Sequence, residues 1–600
     1  MDSVKLPIAP SMAEVWDPRY PLSRSHRRAA QRVCFLSLLF VVGAVVCYFF
    51  EVTVPRLDGS WVGPEGERVA RKEQIRWSKE DEQLRNYTWA TPDPHESLQR
   101  MVRDLTPAQR RSREWLWHTR QHSMGATGVG IGALDPTGPL SPAPAARAHK
   151  SFPRASEGPG LFVNGSLSKY SELLQEWHTG RPVEVCEKGA WEDEYTALHA
   201  EMMSGEREPS LLEFACLKEE GCGGFADRVL GMVSTFLYSI LTKRAFAITW
   251  EQPSPFDLLF DSPYIDWSRP FSSSSTTPPR AVYANQSFVD ARKDIGAFAW
   301  GERQLDEFFP HFVGNYSEGK NTPWLRVKLN RGVTIRSFNY PTVAPQLHSL
   351  GLKLTTAYSC LLNYLVRPKA AALAFITQYT SLFSLPEYFV IGIQIRTGDS
   401  SLVSIGRLSR SPEHPAHPLV PQLSASDDAL NTVAVHKNYF TCAEQVAQTY
   451  AHPSQKVIYY LVSDSHALEE DALRTYPDKV VVTGLRQSHV EALIAGWGEA
   501  WREAADASMR TVAESWIFSS TDFQILTLHS GFAKIPTWLR GKQGSTIQIF
   551  NPQNNPGFAA QVKAWNGGKL PPPPDCTLDK SLATFSELAR EWYVFPFRVA

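Results

Sequence analysis

The chain has no surplus of either charge: 61 Lys and Arg stand against 62 Asp and Glu over 600 residues. Binding to nucleic acid leans on a basic face that neutralises phosphates, so no nucleic-acid partner is expected. No segment repeats at a fixed period, which excludes a solenoid. Cysteine is sparse, at 8. No Cys and His spacing matches a structural zinc site, because Cys216 and Cys222 are six apart and no His pair follows. The glycine-rich turn Gly221-Cys222-Gly223-Gly224 is neither a G-x-G-x-x-G loop nor a P-loop.

What is present begins with size. Six hundred residues, 43% of them hydrophobic, can bury a large core and exceed a single domain. Residues 1–32 are polar and carry Arg24, Arg27, Arg28 and Arg32, and from Val33 to Phe50 every residue is apolar or small. About eighteen residues is near the shorter end of what spans a bilayer. The run passes into Glu51-Val52-Thr53-Val54-Pro55 without a small-residue cleavage site, so it reads as a transmembrane signal anchor rather than a cleaved signal peptide. Arginines on its amino side place residues 1–32 in the cytosol and the rest in the lumen, a single-pass type II topology.

Two further features agree with a lumenal body. Sequons begin at Asn86, Asn164, Asn285 and Asn315. Six cysteines follow the span, Cys186, Cys216, Cys222, Cys360, Cys442 and Cys576, an even set for an oxidising compartment with every pairing open. Residues 51–166 read as a stalk. It carries charged candidate helices at Glu65–Arg85 and Thr106–Trp117 and a Gly-, Ala- and Pro-rich stretch at Met124–Pro153.

The head begins near Tyr170. Gly223 and Gly224 let a backbone approach a ligand, and the helix over Arg228–Thr242 would offer free N–H groups to an anion before a strand at Phe246–Trp250. The stretch Ile391–Ser400, preceded by Tyr388-Phe389-Val390, reads as a buried parallel strand that breaks into a turn at Thr397-Gly398-Asp399. In open α/β sheets ligands sit outside the carboxyl ends of the strands, so Arg396 leaves this strand aimed into that crevice. Its planar fork suits a phosphate or a carboxylate, and Gln394 on the same strand face can hydrogen-bond what is attached. The competing reading is a strand-end turn with a surface pair of Arg396 and Asp399. Further on, strands at Lys456–Ser463 and Val480–Thr483 alternate with helices over His436–Ala451 and Glu491–Phe518, and Asp522–Leu528 leads into His529-Ser530-Gly531-Phe532. Such alternation predicts a doubly wound parallel sheet in the C-terminal half.

Taken together, these stretches resemble the GDP-fucose-dependent fucosyltransferases, especially the plant xyloglucan type. Gly-Cys-Gly-Gly-Phe-Ala-Asp-Arg, ending at Arg228, is similar to the family's glycine-rich motif, and Ile391 to Asp399 looks like its donor motif, whose Arg binds the diphosphate. Tyr460 to Asp464 resembles the second motif. Ala513 to Asp522, with Ser530-Gly531-Phe532 beyond, resembles the third, where an acidic residue contacts guanine and a Ser contacts phosphate. The resemblance implies a GT-B-like α/β fold of two Rossmann-like domains facing a cleft, residues 167–385 on the acceptor side and 386–600 on the donor side. It implies a Golgi enzyme that moves fucose from GDP-L-fucose to a glycan or cell-wall polysaccharide hydroxyl with inversion, using no cofactor and no metal. Arg396 and Asp399 are then the catalytic candidates. The donor would be held by Gly223, Gly224, Arg228, Gln394, Arg396, Asp464, Glu514, Asp522, Ser530, Gly531 and Phe532.

The chain departs from the pattern in places. Core fucosyltransferases carry His where Gln394 stands and a second Arg at Thr397, and their proposed base is a Glu shortly after the donor motif. Here the first Glu after Asp399 is Glu413, so the general base is unassigned. A hard divalent cation would need paired carboxylates, and the nearest approaches are Glu192-Asp193-Glu194 and Asp464-Ser465-His466. A non-catalytic lumenal protein that binds a nucleotide sugar or a glycan on the same scaffold is the alternative.

Overall fold

The computed structural model of the protein describes residues 87–126, 190–216, 224–250, 254–268, 287–290, 324–329, 332–397, 431–485, 501–528, 530–552, 559–560, 563 and 567–590. All lie in one unit, Tyr87–Ala600. The expected span at 33–50, the sequon residues Asn86, Asn164, Asn285 and Asn315, Gly223 and Asp399 fall outside these residues. Among the described helices none is long and apolar enough to cross a membrane.

Part of the expected stalk is described, and there it is packed. Helices α1 (Glu96–Arg103) and α2 (Pro107–Ala126) follow an extended start. Leu98, Met101 and Leu105 recur at helical spacing and, with Trp89, are buried in the largest hydrophobic cluster. The stretch is charged on its other face, which is why it reads as solvated in the sequence.

Helix α3 (Ala190–Ser204) precedes strand β1 (Leu211–Cys216), and α4 (Phe225–Leu241) crosses over to β2 (Ala245–Trp250). A short β3 (Phe260–Asp261) is followed by β4 (Ser287–Asp290) and β5 (Trp324–Lys328). The first sheet is four-stranded and parallel, in the order β2-β1-β5-β4. Phe256, Phe260, Ile265 and Trp267 around β3 are buried, so the aromatic stretch there is packing. Helix α5 (Ala357–Leu365) ends before β6 (Arg367–Pro368), which pairs with β3, and Pro368 forces the break before α6 (Ala370–Phe383).

The second sheet is built from β7 (Tyr388–Ile395), β8 (Lys456–Ser463), β9 (Val480–Val481), β10 (Phe523–Thr527) and β11 (Thr546–Ile549). Its parallel order is β11-β10-β7-β8-β9, the doubly wound arrangement expected, and the order reverses between β7 and β10. Helices α7 (Lys437–Tyr450), α8 (His466–Thr475), α9 (Trp501–Phe518) and α10 (Gly531–Arg540) cover it. Alternation decides which residues face which layer. Phe389, Ile391, Ile393 and Ile395 meet α7 in one cluster, while Tyr388 and Val390 join α6 and α9 in the main core. Gly392 lies on the α9 side, where a Cβ would stand 2.8 Å from Thr521 Oγ1 and 3.0 Å from the Phe518 ring. The motif glycine is therefore a packing requirement.

A disulfide joins Cys442 of α7 to Cys576, 134 residues on. Cys216 and Cys360 are also disulfide-bonded. Closing so long a loop contributes about 5 kcal/mol in the chain-entropy account. Replacing Cys442 by Ser is expected to lower the denaturant midpoint clearly, and an unchanged unfolding curve would show that the tail is held by packing alone.

Candidate functional site

The carboxyl edge of the second sheet gathers polar side chains at the point where the strand order reverses. Arg396 is the first residue beyond β7. Its Nη1 pairs with Asp464 Oδ2 at 2.6 Å, and the guanidinium is 31% exposed where Asp464 is 8% exposed. Asp464, the first residue beyond β8, also accepts from Thr397 N–H at 2.7 Å and Thr397 Oγ1 at 2.9 Å through its other oxygen. The carboxylate thus fixes the turn and one edge of the guanidinium together, leaving the rest of the fork toward solvent. Gln394 shares the strand face of Arg396, as its spacing predicts, but its Oε1 accepts the Thr527 N–H at 3.2 Å and ties β7 to β10.

Three residues past Thr527, Ser530 N-caps α10 without a side-chain cap bond, so Ser530, Gly531 and Phe532 bring a helix start to the same edge. Unsatisfied N–H groups at such a start favour an anion. Glu514 is also at this end but farther off. It accepts from Thr483 Oγ1 at 2.6 Å just beyond β9, two strands or about 10 Å from β7.

Other expected contacts are elsewhere. Asp522 stands at the amino end of β10, where its Oδ2 accepts the Val390 N–H at 2.9 Å and its own N–H donates to Val390 O. Five residues of strand, roughly 16 Å, separate it from the Arg396 edge, so Asp522 holds the sheet and does not contact a ligand there. Burial pushes its carboxyl up to about 6 against the pull of Lys542 and Arg540. Gly224 and Arg228 belong to the first sheet's α4. The Gly224 N–H donates to Asp227 Oδ2 at 3.1 Å, closing the helix start, and Arg228 is buried over the Trp250 ring. Both therefore have structural contacts where the sequence suggested ligand contacts. The acid and imidazole of Asp464-Ser465-His466 diverge, His466 pairing with Glu469 and Glu470.

Sequence reasoning missed the support beneath Arg396. Thr527 Oγ1 accepts the Arg396 N–H at 2.9 Å, and Asn551 Nδ2 donates to Arg396 O at 2.8 Å. Tyr439 of α7 reaches Thr527 Oγ1 at 2.9 Å. His436, which starts α7, is buried with Nε2 unpartnered, and burial lowers its imidazole to about 4 although Asp464 pulls it up. The only signal in the sequence was a polar residue closing an apolar strand, as at Thr527.

The arrangement is suited to a phosphate group: a held, half-open guanidinium beside a helix start.

No protein-family model matches the chain. Among curated proteins it is similar to a galactoside 2-alpha-L-fucosyltransferase of Arabidopsis thaliana, 25% identical over 191 residues, which cover 29% of this chain and 34% of that protein. The chain thus matches about a third of the relative's length. This similarity agrees with the resemblance to fucosyltransferases read from the motifs. Solved structures that it matches include a substituted form of Arabidopsis thaliana FUT1 in complex with GDP, at 14% identity over 70% of this chain and 82% of that chain, with TM-score 0.36. Another is the α-1,6-fucosyltransferase NodZ soaked with GDP-fucose, at 15% identity, 58% and 97% coverage and TM-score 0.32. Superpositions this loose fix no residue correspondence.

Proposed function

We propose that the chain is a Golgi glycosyltransferase that moves fucose from GDP-L-fucose to a glycan hydroxyl, with inversion and without a metal ion. In this reading the fold is GT-B-like, the first sheet serves the acceptor and the second the donor, and residues 33–50 anchor a lumenal head. The observation that carries it is Arg396, held by Asp464 at the edge where the second sheet's order reverses.

The acceptor oxygen forms a bond to C1 of fucose as the bond from C1 to the β-phosphate oxygen breaks. GDP leaves with the bonding pair, and the acceptor proton passes to a base or to water. Negative charge grows on the departing diphosphate. A guanidinium already oriented by Asp464 and the N–H groups heading α10 stabilise that charge without reorganising at the moment of reaction. The acceptor is proposed to be a galactoside, after the name of the Arabidopsis relative.

One experiment tests chemistry and placement together. In sealed microsomes containing the full chain, GDP release from GDP-fucose with a galactoside glycan should be latent until detergent is added, and should then persist in EDTA. Loss in EDTA restored by manganese would mean a metal-dependent transferase. No acceptor-dependent GDP release with any glycan of a panel would favour the binding-protein alternative.

A further inference from the structure

We infer that Thr527 and Asn551 are positioning residues that aim Arg396 by clamping its backbone, an inference that rests on the donor-site reading above. Arg396 lies just past the sheet ladder. The register of β7 with β8 ends at Ile395 opposite Ser463, and that with β10 ends at Gln394 opposite Leu526. Beyond that point the ladders end, and among the described residues side chains partner its backbone N–H and C=O. Thr527 Oγ1 accepts the N–H at 2.9 Å, and Asn551 Nδ2 donates to the C=O at 2.8 Å. Thr527 closes β10 and Asn551 lies two residues past β11, so with Asp464 after β8 three other strands each send one side chain to this residue.

The valence of the Thr527 hydroxyl makes the clamp directional. An O–H has one proton and two lone pairs. Its proton goes to Gln394 O at 3.1 Å, and one lone pair takes the Arg396 N–H. Tyr439 then donates into the second lone pair, at 2.9 Å the nearer of its two acceptors, with Ile549 O at 3.5 Å. Burial keeps that phenol protonated, its pKa pushed upward by desolvation. Every site on the hydroxyl is used, and Val, although of similar shape, would leave the Arg396 N–H without an acceptor. The guanidinium pivots on this backbone, so a small shift there moves the charged fork relative to the diphosphate.

The test measures GDP release from GDP-fucose with a galactoside glycan for Thr527→Val, Thr527→Ser and Asn551→Ala, each also combined with Arg396→Ala, with thermal melting alongside. Thr527→Val and Asn551→Ala are expected to lower kcat about ten- to a hundred-fold with little change in KM, since misplacement of a charged group by a fraction of an ångström acts on the transition state. Thr527→Ser should stay near wild type, because it keeps the hydroxyl. In the Arg396→Ala background neither substitution should cost anything further, which is the signature of acting through Arg396. If Thr527→Val does not fold, Asn551→Ala, at the sheet margin, decides alone. Equal losses in both backgrounds, or wild-type turnover in the clamp variants while Arg396→Ala is impaired, would overturn the inference and leave the donor reading standing. Wild-type turnover in Arg396→Ala would overturn the two together.

Discussion

Arg396→Ala should reduce the proposed fucose transfer roughly a hundred- to a thousand-fold in kcat, the usual cost of deleting a donor that stabilises developing charge in a preorganised site. The protein should still fold, because the guanidinium is half-open and its removal leaves Asp464 with both Thr397 donors. Arg396→Lys retains the charge as a single point and loses the planar fork, so it should recover little. Measured with GDP release and a melting curve, three outcomes separate the possibilities. A large loss of turnover at unchanged melting temperature supports the donor site. Turnover near wild type places the diphosphate elsewhere. Loss of the folded protein returns Arg396 to a structural ion pair of the turn.

Strands β7, β8 and β9 of the second sheet were legible in the sequence because they are apolar runs separated by helical spacing, whereas β11, four residues long, was not read at all. Arg396, Asp464 and Ser530 were found for that reason: each directly follows a strand or starts the next helix, and connectivity alone puts such residues on the carboxyl edge. Asp522 shows where the method fails. It is close in sequence to Ser530, yet the strand between them runs the whole height of the sheet and puts the carboxylate at the opposite end. Gln394 was placed on the correct face, but spacing cannot tell that its oxygen is taken by Thr527. Thr527 and Asn551 were invisible because their roles are contacts between segments more than 130 residues from Arg396, at separations of 131 and 155.

The segment from Tyr87 to Leu105 is where the fold departs most from its sequence reading, and cutting it should have the largest effect on stability. Leu98, Met101 and Leu105 are 1–2% exposed and Trp89 is 5% exposed. Polar contacts tie the same segment to distant parts of the head: Tyr87 OH donates to Asp506 Oδ1 at 2.6 Å, Arg100 Nη1 to Pro477 O at 2.7 Å, and the Val482 N–H to Ser97 Oγ at 3.3 Å. The last of these lies just beyond β9, the edge strand that would otherwise be left open. Emptying a buried Leu or Met site costs about 2–5 kcal/mol and a Trp site about 3–5. Together they approach the roughly 5–15 kcal/mol by which a whole protein is stable. A fragment starting at Thr106 is therefore expected to be insoluble, whereas one starting at Tyr87, the boundary of the unit, should be soluble and folded. In the full chain, Leu98→Ala with Met101→Ala should lower the melting temperature by on the order of 10 °C or more. A soluble, folded shorter fragment with the melting temperature of the longer would mean that the segment only rests on the head, as the stalk reading of residues 51–166 has it.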